Sequence, residues 1–261
     1  MAKKIVLLLI VILGITSCVP RKELQYYRGV ENLSKQEATN YEPILKQDDL
    51  LMIVVLAPTP ELAADFNLAA FGVIGDGGAF LGRPDSVNSQ MRYQSYLIDN
   101  KGFIEFPVLG SIQLGGLTRT EALDLLKTKL KAYINEPIVS LRILNFKVTV
   151  QGEVARPGTF TTSTERITLP EALSMAGDLT IYGKRDNVLI IREIDGKKES
   201  HSIDMTKSDF INSPYYYLSQ NDVVYVEPNK TKMNSAAVGP NISIILSSVS
   251  LLITIIALLI R

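Results

Sequence analysis

Apolar positions follow three patterns along the chain. Behind Lys3-Lys4, residues Ile5 to Ile15 form an apolar run of the length a signal peptide needs, and too short to span a bilayer. This predicts a signal peptide over 1–17. From Asn241 to Ile260 no residue is charged. Twenty residues at about 1.5 Å each reach about 30 Å, the hydrocarbon thickness of a bilayer, so a transmembrane helix is expected over 241–261. Gly239-Pro240 breaks whatever precedes it. Between the ends, short alternating runs mix with helical spacing, and the fold class expected is α+β.

Residues 18–40 are polar and irregular and read as a tether. Leu50 to Val55 is a β-rich run behind the polar cluster Lys46 to Asp49. Residues 57–92 hold Pro58, Pro60, Gly75, Gly77, Gly78, Gly82 and Pro84, which predicts an inserted loop. Strand pattern resumes at Tyr93 to Ile98, turns at Asp99 to Gly102, and continues through Phe103–Phe106 and on through Pro107 to Ile112. Thr118-Arg119-Thr120-Glu121 is a capping-box pattern opening a helix to about Tyr133, with Leu123, Leu126, Leu130 and Tyr133 as its apolar stripe. A strand follows from Ile138 to Leu144.

A second unit begins near Phe146, where Phe146, Val148 and Val150 alternate with polar residues. Arg156-Pro157-Gly158 predicts a type II turn. Thr168 to Glu171 repeats the capping-box pattern before a short helix ended by Gly177. Asn187 to Glu193, the turn Asp195-Gly196 and His201 to Ile203 predict a hairpin, and Asn221 to Pro228 a last strand. The expected order is a domain over 41–145, a second over 146–228, a linker over 229–240 and the terminal helix.

Charge is balanced, with 27 Lys+Arg against 27 Asp+Glu, so no overall field draws nucleic acid. Loss of residues 1–17 removes Lys3 and Lys4 and leaves 25 basic against 27 acidic side chains. The single cysteine, Cys18, excludes an intrachain disulfide and a Cys-rich metal site. Thr16-Ser17-Cys18 directly after the apolar run resembles the lipobox of bacterial lipoproteins, which makes Cys18 the candidate lipid-attachment residue; the alternative is an ordinary buried cysteine. Several acyl chains on one residue meet the two-signal requirement for stable anchoring in membrane lipid. Val19 stands where an Asp commonly marks inner-membrane retention, which favours the outer membrane.

In the terminal run Ser243, Ser247, Ser250 and Thr254 step by 4, 3 and 4 and share one helical face. Small hydroxyl residues so placed mark helix packing or a weakly polar lumen face; the alternative is bonding back to the helix's own carbonyls. Gly75-Asp76-Gly77-Gly78 lacks the Lys-Ser/Thr ending of a phosphate cradle. His201 is the only imidazole, and Asp48/Asp49 lie in a turn. No catalytic residue, metal ligand or cofactor is assigned.

The ordered motifs resemble the outer-membrane polysaccharide export proteins. The first domain matches through Tyr41, Gln47-Asp48-Asp49-Leu50, Ile53 and Val55, then Tyr96, Ile98-Asp99, Gly102, Ile104, Pro107, Gly110, Ile112, Gly116, Thr118 and Glu121-Ala122. The second is similar to a soluble-ligand-binding β-grasp (SLBB) domain through Val148, Val150, Gly152-Glu153-Val154, Pro157-Gly158, Leu169, Glu171-Ala172-Leu173, Gly177-Asp178 and Asp222 to Val226. The resemblance implies a homo-oligomeric ring that conducts capsular or exopolysaccharide delivered by an inner-membrane polysaccharide copolymerase. Relatives with a wide pore carry several β-grasp repeats and an amphipathic terminal helix; this chain has one repeat and a nearly all-apolar helix. Two readings therefore stand beside each other: a ring-forming outer-membrane lipoprotein that passes glycan, and an envelope lipoprotein that binds glycan or scaffolds a partner without forming the pore.

Overall fold

A computed structural model describes residues 24–32, 41–67, 94–194, 196–238 and 242–259. The first domain is built on a three-stranded antiparallel sheet in the order β2–β1–β5, made of β1 (Leu50–Leu56), β2 (Ser95–Leu97) and β5 (Ile138–Ile143). Alternation fixes its faces: Leu51, Ile53 and Val55 of β1 and Val139, Leu141 and Ile143 of β5 point into the core. A hairpin of β3 (Phe103–Phe106) and β4 (Gly110–Gln113) adds Ile104, Phe106 and Ile112 to it.

The Phe106–Gly110 pairing closes that hairpin over Pro107 to Leu109, with Val108 at φ 64. Pro107 to Leu109 is therefore a turn, where the sequence reading continued a strand. Helix α1 (Arg119–Leu130) opens on the expected capping box, Thr118 with Glu121, and packs on β5. It stops at Leu130 with Lys131 as its C-cap, short of Tyr133. Its buried stripe is Ala122, Leu126 and Leu130; Leu123 is half-buried, and Tyr133, 56% exposed, leans edge-on to Phe66 at 5.8 Å.

The second domain is a mixed five-stranded sheet in the order β10–β9–β12–β6–β7. Its strands are β6 (Lys147–Gly152), β7 (Gly158–Thr161), β9 (Gly183–Ile194), β10 (Lys197–Ile203) and β12 (Val223–Pro228). β12 runs parallel to β6 and antiparallel to β9. A small ladder of β8 (Ile167–Thr168) and β11 (Tyr217–Leu218) leads into helix α2 (Leu169–Met175), again capped by a Thr168–Glu171 box. Gly158 pairs with Val150 as the first residue of β7 and has no positive φ, so the expected type II turn is not formed there. The positive-φ glycine that matters is Gly152 (φ 91), whose added Cβ would run into the Val226 carbonyl where β6 and β12 touch.

One continuous core joins the domains, with Leu45 and Phe146 fully buried within it. Polar bonds lock the junction. Asn145 accepts from Leu50 N (2.9 Å) and donates to the Asp48 carbonyl (2.8 Å), while Gln220 donates to the Asn145 carbonyl (2.9 Å) and accepts from Lys147 N (2.8 Å).

Residues 24–32, within the segment read as a tether, lie against the second domain. Tyr27 N and Arg28 N donate to the carbonyls of Met205 (3.2 Å) and Thr206 (2.8 Å). Of the loop expected over 57–92, Pro60–Phe66 forms a 3-10 helix with Ala63 and Phe66 buried, and Asn67 bonds back to Val55; residues 68–93 lie outside the described ones.

After β12 come α3 (Lys230–Val238) and α4 (Ile242–Leu259). Among the described residues no helix is long and apolar enough to cross a membrane. The 18 residues of α4 extend about 27 Å, short of the roughly 30 Å of hydrocarbon. The transmembrane helix expected over 241–261 thus finds no support among the described residues.

Candidate functional site

The two domains enclose a cleft of about 830 Å³. One wall is the start of the first domain, Tyr41 to Pro43, with Arg119 from the first turn of α1; the other is the β7–β8 connection and the first turns of α2. Arg119 reaches across: its Nε lies 3.2 Å from Glu165 Oε2 and donates to the Leu141 carbonyl at 3.1 Å, while Ile143 N donates to Glu165 Oε1 at 3.1 Å. Glu42 accepts from Thr120 Oγ1 at 2.8 Å.

At the inner end Tyr41 stacks on Tyr217, with centroids 5.0 Å apart, and donates its hydroxyl to the Leu218 carbonyl at 3.0 Å. Burial pushes the Tyr41 phenol above its ordinary value. The Arg166 guanidinium lies 5.2 Å from the centre of the Tyr217 ring. Tyr216 meets Tyr217 edge-on at 5.1 Å, and the row of rings continues through Phe210 to Tyr27. A second cleft of about 690 Å³ shares Tyr41, Glu42 and Pro43, so these residues partition the two.

The larger cleft pairs carboxylates (Glu42, Glu165, Glu171) with guanidinium groups (Arg119, Arg166) and lines the rest with Thr162, Thr164 and Ser174. Such a surface offers hydrogen-bond donors and acceptors of both kinds beside aromatic and aliphatic faces, which suits a neutral polyhydroxylated ligand. Among the described residues no group of three or more His, Cys, Asp or Glu is placed to hold a metal ion.

Deeper in the junction Asp49 is fully buried, accepting from Lys46 N at 2.8 Å through one carboxylate oxygen. Burial pushes its carboxyl up to about 6. Asp48, its neighbour in sequence, is exposed on a left-handed backbone (φ 65), so the two acids do not face each other as a pair. His201 stacks on Tyr215 at 4.0 Å, and its Nε2 lies 2.6 Å from the Tyr215 hydroxyl and 3.3 Å from Glu199.

Cys18 lies outside the described residues. Ser243, Ser247, Ser250 and Thr254 all fall in α4, and the side chain of Ser243 is outside the description. Thr254 donates to the Ser250 carbonyl at 2.8 Å, and Ser248, off that face, donates to the Ile244 carbonyl at 2.8 Å. Sequence spacing alone does not mark the cleft residues Arg119 and Arg166, or Tyr217, which stacks on the cleft residue Tyr41.

Residues 37–144 match the family described as polysaccharide biosynthesis/export protein, and residues 146–226 match the SLBB domain. The chain is 28% identical over 186 residues to the EPS I polysaccharide export outer membrane protein EpsA of Ralstonia solanacearum, covering 70% of this chain and 47% of that protein. It is 30% identical over 183 residues to the protein of the same name from Ralstonia nicotianae, covering 69% of this chain and 45% of that one. The similarity thus spans about half the length of each relative.

Proposed function

Because the chain belongs to the polysaccharide biosynthesis/export protein family, we propose that it is a subunit of an outer-membrane apparatus that passes capsular or exopolysaccharide from periplasm to cell surface. In this reading Cys18 carries the lipid anchor, copies assemble as a ring, and an inner-membrane polysaccharide copolymerase delivers the glycan. The family is one of export components, and the chain is given no catalytic step. Its part is passive, a corridor of polar surface with the driving energy supplied elsewhere.

The observation that carries the reading is the succession of both family domains over 37–226 on one continuous core. A ring that holds a moving chain needs the export and SLBB domains to act as one body, and the Asn145–Gln220 junction supports that. In α4, Ile244, Leu246, Leu251 and Ile253 are all more than 60% exposed, so the helix is apolar on more than one side and must be covered in the assembly. We assign its Ser243, Ser247, Ser250 and Thr254 face to contact with the next copy.

The second reading, an envelope lipoprotein that binds glycan or scaffolds a partner without forming the pore, is favoured by the inter-domain cleft, which a ligand could occupy in a single copy. Two measurements decide. Cells lacking the chain should lose surface polysaccharide and regain it with the wild-type chain but not with Cys18→Ser; unchanged polysaccharide in the deletion sinks the export role. Native mass analysis of detergent-extracted protein should give a discrete high oligomer, and a monomer sinks the ring.

A further inference from the structure

The segment entering the folded body and the strand leaving it flank the same loop. Tyr26, from the entering segment, donates its hydroxyl to Asp178 at 2.8 Å, and the Arg185 guanidinium lies 5.2 Å from the centre of its ring. Arg185 donates to the Gly183 carbonyl at 3.0 Å, and Gly183 pairs with Pro228, the last residue of β12. Asn229, the next residue, donates its N–H to the Tyr182 carbonyl at 2.7 Å.

The loop between Asp178 and Gly183 is stiff. Thr180 donates to Glu153 Oε1 (2.6 Å) and, through its own carbonyl, accepts from Gly183 N (3.1 Å). Yet its tip is Ile181, 58% exposed, followed by Tyr182, 40% exposed. Beside the tip, Lys232 of α3 places its ammonium 5.3 Å from the Tyr182 ring, and Met233 is 43% exposed. A braced loop holding an isoleucine out into solvent gains nothing from its own fold by doing so.

We propose that the Ile181–Tyr182 tip, with Met233 at the start of α3, rests in the headgroup zone of a lipid bilayer. The inference rests on the reading of the chain as a lipid-anchored envelope protein. An aliphatic tip beside a tyrosine and a lysine that reaches over its ring is the composition of a membrane–water interface, where amphipathic rings and long basic side chains place an apolar body inward and a polar end in water. One connection leads from this loop back to the candidate lipid-attachment residue, and the other leads on to an apolar helix. Cys18 lies eight residues before Tyr26, a reach of at most about 29 Å. On the other side the apolar α4 begins four residues after the end of α3.

The sequence contains no tryptophan, so a single one reports its own surroundings. The full chain carrying Ile181→Trp, Met233→Trp or, on the first domain, Leu97→Trp is reconstituted into phosphatidylethanolamine–phosphatidylglycerol vesicles, with and without brominated acyl chains. The expected result is blue-shifted emission at positions 181 and 233 that is lost with brominated lipid, and emission at position 97 that is not. Emission at 181 that stays red-shifted and open to aqueous iodide in the vesicles overturns the proposal. Blue-shifted emission at 181 that brominated lipid leaves unchanged also overturns it, because protein, a second copy for example, then covers the tip. Neither result bears on export, which is read separately from surface polysaccharide in deletion cells.

Discussion

Arg192 and Asp222 form an ion pair inside the second domain: Arg192 Nη2 lies 2.7 Å from Asp222 Oδ2 and its Nε 3.0 Å from Oδ1, with the Asp222 side chain 1% exposed. The same carboxylate accepts from Ser219 N at 2.8 Å, and Arg192 also donates to the Tyr217 carbonyl at 2.9 Å. The pair thus ties β9 to the turn before β12 and to the strand that carries Tyr217, the ring stacked on Tyr41. Removing one partner strands a buried charge, which costs more than the pair contributes.

Asp222→Ala is expected to destabilise the chain by about 3–5 kcal/mol, and Arg192→Met with Asp222→Leu to recover most of that loss. Urea unfolding of the detergent-solubilised protein, followed by far-UV circular dichroism, checks both. A loss of less than about 1 kcal/mol in Asp222→Ala would show that the pair is solvated.

Gly152 has a narrower tolerance than any other turn glycine in the second domain. It sits at φ 91 where β6 and β12 run side by side, and an added methyl meets the Val226 carbonyl backbone, which cannot rotate away. Gly196, also at positive φ (73), has nothing within 4 Å of its added Cβ. Gly152→Ala should therefore cost about 2–4 kcal/mol and Gly196→Ala about 1 kcal/mol, since only the first adds a clash to the backbone strain. Equal shifts in Tm for the two variants would refute the steric argument.

What the sequence made legible was whatever depends on near neighbours. Both capping boxes need only a Thr and a Glu three residues on, and both form as expected at Thr118 and Thr168. β1, β5, β6 and β12 announce themselves by their apolar runs and alternation, whereas β7 and most of the polar β10 do not. The misread features depended on strand pairing, on where an element stops, or on a distant partner. Gly158 looked like a turn residue until its pairing with Val150 made it the start of a strand. Tyr133 had the right helical spacing, but the helix ends before it. The cleft was hidden for the last of these reasons: Tyr41 and the Leu218 carbonyl it bonds are 177 positions apart, and no local pattern relates them.

Asp49 makes stability depend on pH in an unusual direction. Its carboxyl is raised to about 6 by burial, from an ordinary value of 3.8, so the folded chain holds a proton there that the unfolded chain has released. Between about pH 4 and pH 6 the folded state binds more protons, and this group's contribution to stability falls as pH rises. Asp49→Asn keeps an acceptor for Lys46 N and removes the titration. The variant should exceed the wild type by about 2–3 kcal/mol at pH 7, with the gap closing below pH 4. A gap that does not change between pH 4 and pH 7, measured by thermal unfolding, would place its cause elsewhere.

The docking of residues 24–32 predicts a protease signature. Arg28 is held through its backbone N–H to Thr206 and its guanidinium to Thr206 Oγ1 at 2.7 Å, while Tyr26 is pinned by Asp178. Trypsin must lift this segment off the second domain before it can cut after Arg28, so cleavage follows the local opening equilibrium. Removing the Tyr26 ring and its hydrogen bond takes away on the order of 1–2 kcal/mol of local stability. Tyr26→Ala should then raise the cleavage rate at Arg28 by about tenfold, while cleavage at Lys101, in the exposed turn of the first domain, stays unchanged. Wild-type protein cut at Arg28 as fast as at Lys101 would mean that the segment is free in solution, and the loop beside it would lose one of its two flanking connections.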